Sequence, residues 1–287
     1  MSDMAQTATT AEPAAMIPQG GDLVRRHRLS TRVWHWVNVV ALFVMLMSGL
    51  MIFNAHPRLY WGEYGANPDY AWLEIGAAQG EGRLRVGGLS LETTGVLGLS
   101  RGSDGTAQKV AFPGWATIPS QYSLADARLW HLAFAWVLGL GALVYLLWSL
   151  ANGHVRRDLL LARGEWRLAH IWHDIKQHAR LRFPTGAAAL RYNVLQKFAY
   201  LSVLLVLLPL VILTGLAMSP GFDAAVPISA AFAGRQSARS LHFLAAFGLL
   251  AFIFVHVVMV VLAGPINEMR SMITGWYRLP REHKDRK

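Results

Sequence analysis

The chain contains no cysteine among its 287 residues. That excludes disulfides, thiolate zinc sites, iron–sulfur ligation and covalent haem attachment through C-x-x-C-H. No H-E-x-x-H is present either, which argues against a zinc protease. Charge is scarce: 15% of residues are Asp, Glu, Lys or Arg, against about 25% in an ordinary soluble domain. Residues 1–20 lack a basic start followed by an apolar run and are rich in Ala, Thr and Pro. They do not read as a cleavable signal, and a disordered tail is expected over 1–24.

What is present in excess is apolar sequence. Hydrophobic residues make up 54% of the chain, and the mean hydropathy is +0.32. Four blocks carry no charge at all: Val33–Phe53, Leu129–Ala151, Phe198–Met218 and Leu241–Ala263. At about 1.5 Å of rise per residue each reaches roughly 31–35 Å, enough for a hydrocarbon core of about 30 Å. The fold class expected is an all-α integral membrane protein, a four-transmembrane-helix bundle over residues 25–275. Core helices of a soluble protein are the alternative, and uncharged runs of this length disfavour it.

The formal net charge of +10 could suggest nucleic acid, but its distribution points to a bilayer. Lys and Arg number 4 in residues 21–32, 9 in 152–197 and 6 in 264–287, against 6 in 54–128 and 2 in 219–240. The positive-inside rule then puts both termini in the cytoplasm of a bacterial inner membrane. Segment 54–128 becomes a long periplasmic loop, with 7 acids against its 6 basic residues. It holds 12 glycines, together with Tyr60, Trp61, Tyr64, Tyr70, Trp72, Trp115 and Tyr122. Disordered linkers are poor in aromatics, so this loop should fold over the helix ends, and Tyr60, Trp61, Tyr64 and Trp72 could serve as docking anchors. Residues 155–183 alternate Leu, Ile and Trp with charges, which suits a cytoplasmic amphipathic segment on the membrane face. Residues 276–287 read as a basic cytoplasmic tail.

The spans pair in an imperfect repeat. Ala127-Arg128-Leu129-Trp130-His131 and Ala238-Arg239-Ser240-Leu241-His242 open the second and fourth, while Ser48-Gly49-Leu50-Met51 and Thr214-Gly215-Leu216-Ala217 close the first and third.

Ionisable groups in membrane spans are rare and usually functional. Four histidines lie within or at the ends of the apolar blocks: His35, His131, His242 and His256. A neutral imidazole can be an axial ligand to haem iron, and two opposed imidazoles make an electron-transferring haem. His242 and His256 are 14 residues apart. At about 100° per residue they return to within roughly 40° of one face, separated by about 21 Å along the axis. One helix thus offers a ligand near each membrane surface. Topology pairs His35 with His256 for an inner haem and His131 with His242 for an outer one. Hydrogen-bonded core histidines are the bland alternative, but level-matched pairs are hard to explain that way. His170, His173 and His178 fall on the amphipathic segment, where a solvated polar surface is the simpler reading. His56 suits an interfacial cap; His27 and His283 suit solvated tails.

With these residues in view, the chain resembles a known family. Arg32-Val33-Trp34-His35-Trp36-Val37-Asn38, the Arg-x-x-His opening of the second span and the His-x13-His of the fourth are similar to the di-haem, b561-type cytochrome b subunits of nickel hydrogenases and formate dehydrogenases. Tyr192-Asn193-Val194-Leu195-Gln196-Lys197, Leu213–Pro220 and Gly234–Arg239 resemble the branch of thiosulfate-reductase-type cytochrome b subunits. The resemblance implies two non-covalent b haems and electron transfer between a periplasmic oxidoreductase subunit, a molybdopterin enzyme among the candidates, and menaquinone or ubiquinone. It places Asn193 and Gln196 near the quinone head, where side-chain amides can donate to a carbonyl or accept from a quinol; a capping role at a helix N-terminus competes. Arg128 and Arg239 each lie three residues before an outer ligand, on nearly the same helix face. They could pair with haem propionates, with interfacial snorkelling as the alternative. The long loop departs from the hydrogenase and formate-dehydrogenase pattern. Two other functions compete: a self-sufficient haem b enzyme coupling superoxide or oxygen chemistry to quinone, and a haemless transporter.

Overall fold

The computed structural model describes residues 21–102, 104–153, 168–180 and 193–279. A short strand β1 (Leu23–Arg25) leads into helix α1 (Leu29–Asn54). Six strands follow: β2 (Arg58–Leu59), β3 (Leu73–Ala78), β4 (Glu81–Val86), β5 (Leu89–Glu92), β6 (Ser100–Arg101) and β7 (Ala107–Gln108). Then come α2 (Leu124–Ala151), α3 (Leu168–Ala179), α4 (Val194–Met218), α5 (Pro220–Ala225), α6 (Arg235–Ala263), α7 (Pro265–Thr274) and β8 (Trp276–Arg278). Four of these helices, α1, α2, α4 and α6, are long and apolar enough to cross a membrane.

Each spanning helix begins four to six residues before its uncharged block. The block marks the hydrocarbon layer; the helix runs on to a polar start. Ser123 starts α2 by accepting from the Asp126 amide at 3.3 Å. Asn193 and Gln196 form a reciprocal capping box at the start of α4. In α4, Val203–Leu207 is a π-helical stretch just before Pro209. Proline has no N–H and its ring presses on the carbonyl four residues back; the wider turn absorbs that clash. Leu132, Trp136, Leu140, Val144 and Leu147 on α2 are exposed, a surface that only lipid or another apolar partner would tolerate.

Between α1 and α2 the chain departs from the all-helical expectation. Strands β2-β3-β4-β5 form an antiparallel sheet in that order, and β6 pairs with β7. The β3–β4 turn uses Gln79 and Gly80 at φ 54° and 81°, the type I′ geometry that suits the twist of a hairpin. On β3 the pleat alternates, turning Leu73 and Ile75 inward onto Leu59, Phe53, Ala111 and Phe112. Phe243 and Phe247 of α6 close this core from below. Glu74 faces the other way and accepts from Arg58 and Arg85 at 2.5 and 2.6 Å.

Polar contacts fasten the sheet to the helix ends. The carbonyl of Gly62 accepts from the amides of Gln236 and Ser237, two of the donors that a helix start leaves unsatisfied. The Gly62 amide donates to Ser237 Oγ at 2.7 Å. Ser240 Oγ accepts from Trp72 Nε1 at 3.0 Å and donates to the Tyr60 carbonyl at 2.6 Å. Asn54 exchanges two hydrogen bonds with the backbone of Phe112. Gly234 has φ 110°, and a Cβ there would lie 2.6 Å from the Gly62 carbonyl oxygen, so only glycine fits.

The opposite, terminal face is closed by β1 pairing antiparallel with β8. Sequence reasoning assigned residues 23–24 and 276–279 to tails; they belong instead to the ordered body, because Tyr277 and Leu279 alternate inward with Val24. Arg26 lies 4.4 Å over the Tyr277 ring and pairs with Glu268 at 3.2 Å. Trp36 Nε1 donates to the Met272 carbonyl at 3.2 Å, and Arg32 to that of Ile273. The tails 1–20 and 280–287, and most of the amphipathic segment before α3, lie outside the described residues.

Candidate functional site: two histidine pairs

α1 and α4 run from the terminal face to the loop face, and α2 and α6 run back. His131 and His242 therefore stand near the loop face, one turn or two inside α2 and α6. His35 and His256 stand near the terminal face. The structure brings the histidines together in these two pairs. The ring centres of His131 and His242 are 6.2 Å apart, and those of His35 and His256 are 6.4 Å apart. A metal ion bonded at about 2 Å to one nitrogen of each ring would hold the ring centres roughly 6 Å apart. Both pairs thus have the spacing of a bis-imidazole metal centre. Among the described residues no cluster of three or more metal-ligating side chains occurs; each pair offers two imidazoles.

The loop-face pair lies in apolar surroundings. A cavity of about 50 Å³ touches both rings and is lined by Leu42, Leu46, Leu138, Leu249 and Ile253. Gly49 and Gly215 let the backbones of α1 and α4 come up behind the rings. A Cβ at Gly49 would lie 3.3 Å from Cε1 of His131, and one at Gly215 3.5 Å from Cε1 of His242. Beside each glycine is a hydroxyl. Ser48 Oγ lies 3.1 Å from His131 Nδ1, and Thr214 Oγ1 lies 3.1 Å from His242 Nδ1. The Met45 carbonyl is also 3.1 Å from His131 Nδ1. The two halves of the chain thus build the same support for equivalent imidazoles. The repeated Ser/Thr-Gly pair is visible in the sequence but its role is not, because the contact to each histidine exists only between helices.

The terminal-face pair is built differently. His35 Nδ1 is buried without a hydrogen-bond partner. The His35 ring meets Trp36 edge-on at 5.2 Å, and His256 stacks on Phe252 at 5.9 Å. The repeat breaks here: Tyr145 occupies the α2 position that His256 occupies in α6, and it stacks on Trp34 at 5.6 Å. Gly141 makes room for Trp34, since a Cβ would lie 2.2 Å from that ring. Next to this pair, His27 is pushed down to about 4 by burial, with Arg26, His35 and Arg32 adding to the effect.

The remaining expected site residues separate. Arg239 is half-buried, donates to the carbonyls of His56 and Arg58, and lies 5.7 Å over Phe53. Arg128 is exposed. Near Arg239, the stacked rings of His56 and Tyr60 leave His56 Nε2 and the Tyr60 hydroxyl buried without partners. Burial, then the cations of Arg239 and Arg58, lowers the His56 imidazole below its ordinary value. Asn193 and Gln196 spend their side-chain oxygens on the α4 capping box, and Asp174 of α3 accepts from the Val194 amide at 3.2 Å. His173 is exposed and contacts Gln177 at 3.4 Å; the side chains of His170 and His178 lie outside the described residues. Of the aromatics offered as docking anchors, Tyr60 is buried and Trp72 is tied to Ser240, so both pack the loop. Trp61 and Tyr64 are 53% and 83% exposed.

The family described as prokaryotic cytochrome b561 matches residues 26–275. A relative in Azospira oryzae, provisionally assigned as protein-methionine-sulfoxide reductase subunit YedZ1, is 24% identical over 247 residues, covering 85% of this chain and 93% of its own. No solved structure matches. A match across all four spans and both histidine pairs identifies the chain as a member of the prokaryotic cytochrome b561 family, multi-pass membrane electron-transfer proteins that bind haem b.

Proposed function

We propose that this chain binds two b haems, one between His131 and His242 and one between His35 and His256, and carries electrons between a catalytic protein at the loop face and a quinone at the terminal face. The observation that carries the reading is the equal spacing of the two imidazole pairs, 6.2 and 6.4 Å. Haem iron held this way would supply reversible one-electron chemistry. The chain's own residues do the rest. The four histidines hold the metal, and the leucine-rich lining excludes water. Arg239, with the unpartnered His56 Nε2 and Tyr60 hydroxyl beside it, forms a donor set suited to haem propionates at the loop face. Arg128 would add to it only by reorienting from its exposed position.

The basic residues flanking the terminal face support placing both termini in the cytoplasm and the sheet in the periplasm. The designation of the Azospira relative as a reductase subunit supports a catalytic partner, a periplasmic oxidoreductase of the molybdopterin type being one candidate. The built sheet, with Trp61, Tyr64 and Tyr70 exposed, favours a protein partner over a small oxidant such as superoxide. On the terminal face, Asn193 and Gln196 order the start of α4. Their amide nitrogens are the atoms that would meet a quinone carbonyl, menaquinone or ubiquinone alike.

The test is a pyridine haemochrome assay on the purified chain, expressed with adequate haem. A ratio near two haems per chain, extractable by acid acetone, is expected; a ratio near zero overturns the reading.

A further inference from the structure

The two imidazole pairs differ in what stands behind them. At the loop face both Nδ1 atoms face a hydroxyl: Ser48 Oγ for His131 and Thr214 Oγ1 for His242, each at 3.1 Å. The direction of these hydrogen bonds can be assigned. Ser48 Oγ donates its own proton to the Val44 carbonyl at 2.7 Å, and Thr214 Oγ1 to the Leu210 carbonyl at 2.5 Å. With its proton spent on its own helix, each hydroxyl presents a lone pair, so the imidazole must donate. Nδ1 then carries the proton and Nε2 is left as the metal-binding nitrogen. Both hydroxyls sit on residues that are fully buried, in a surrounding where no water competes. At the terminal face His35 Nδ1 has no such acceptor.

We infer that Ser48 and Thr214 are positioning residues of the loop-face haem: acting through His131 and His242, they reinforce the ligand tautomer that the Met45 and Val211 carbonyls also favour and lower that haem's reduction potential, leaving the terminal-face haem untouched. This rests on the two-haem reading above. The physical reason is charge. An imidazole that donates from Nδ1 is a more basic ligand. A more basic ligand stabilises the ferric state, which carries one positive charge more than the ferrous state. The two residues come from α1 and α4, which themselves hold no loop-face ligand, and each is followed by a glycine, Gly49 or Gly215, whose missing side chain leaves the imidazole room.

The experiment is a spectroelectrochemical titration of the full chain with its haems, in wild type, Ser48→Ala, Thr214→Val and Thr214→Ser. His131→Ala identifies which component belongs to the loop face. Carbonyls still accept from both rings after a hydroxyl is lost, from Met45 and Val211, so the shift is partial. Ser48→Ala and Thr214→Val should each raise the loop-face component by about threefold to tenfold in the reduced-to-oxidised ratio, tenfold being 59 mV for one electron. The terminal-face component should stay in place. Thr214→Ser keeps the hydroxyl and should titrate as wild type. Wild type with two components and variants that move neither, or both equally, overturns the inference alone. So does Thr214→Ser shifting as far as Thr214→Val, which would make packing the cause. A wild type with fewer than two components overturns the two-haem reading beneath it.

Discussion

Ser240 is the residue on which the fastening of the sheet can be measured. Its hydroxyl accepts from Trp72 Nε1 and donates to the Tyr60 carbonyl, and the residue is fully buried. Ser240→Ala removes one oxygen and leaves two groups without partners. A buried donor or acceptor left unmade costs about 1–3 kcal/mol. Tyr60 is buried and takes the full cost; Trp72 is only half-buried and can recover part of it from water. The sum is about 3 kcal/mol, roughly a hundredfold at about 1.4 kcal/mol per tenfold. The loss falls on local opening of the loop, since the spans do not use these groups. Hydrogen exchange in detergent or nanodiscs reads it directly. The amides of Gly62 and Trp72, which donate to Ser237 Oγ and the Leu59 carbonyl, should exchange roughly a hundredfold faster. Amides in the middle of α6 should keep their rates, and haem content should stay constant. Acceleration of less than about threefold at Gly62 and Trp72, or equal acceleration in mid-α6, would refute the reasoning.

Further outcomes follow from the same contacts. His131→Ala and His242→Ala should remove one and the same redox component, and His35→Ala and His256→Ala the other; loss of a shared component by His35→Ala and His131→Ala would break the pairing. Partial burial works against the Glu74 carboxylate, but hydrogen bonds and charge from Arg85 and Arg58 outweigh it and hold the group below its usual range. The stability this gives the sheet is therefore present at neutral pH and fades only below about 4.3, as pH falls through the lowered value; Glu74→Gln should flatten that acid limb of loop exchange. Gly141→Ala must displace Trp34, so the optical spectrum of the His35 haem should change while that of the other haem does not. Changing Asn193 and Gln196 to Leu removes the α4 capping box, worth about 1–2 kcal/mol. Quinol-driven reduction should slow while dithionite still reduces both haems; unchanged quinol rates would move the quinone elsewhere.

The bundle was legible in the sequence because lipid allows few solutions. Uncharged blocks of fixed length must be helices, and the 14-residue step from His242 to His256 carries both levels on one face. The sheet was not legible. Its strands are two to six residues long and separated by glycines, so neither the alternation of Leu73 and Ile75 nor the Gln79-Gly80 turn rises above its surroundings. Ser48 and Thr214 were visible as a repeat but silent as to role, because periodicity within one helix says nothing of what a neighbouring helix brings to it. Arg239 and Arg128 look equivalent in sequence. They differ in space because the chain from His56 to Gly62 crosses only the α6 end.

One consequence of the helix arrangement concerns biosynthesis. Both pairs draw a member from α6, the last of the four spans among the described residues to leave the ribosome. A nascent chain with three helices in the bilayer holds His35 and His131 alone, and neither has its counterpart. If each pair holds a haem, as proposed, its capture at either level must wait until α6 has joined the bilayer, and a polypeptide ending at Met218 would insert in the membrane yet offer no paired site. The strand pair β1–β8 adds a second late event, since residues 23–25 stay unmatched until residues 276–278 emerge. Cofactor loading and closure of the terminal face are thus both end-of-synthesis steps, and a membrane stocked with unfinished chains should be colourless.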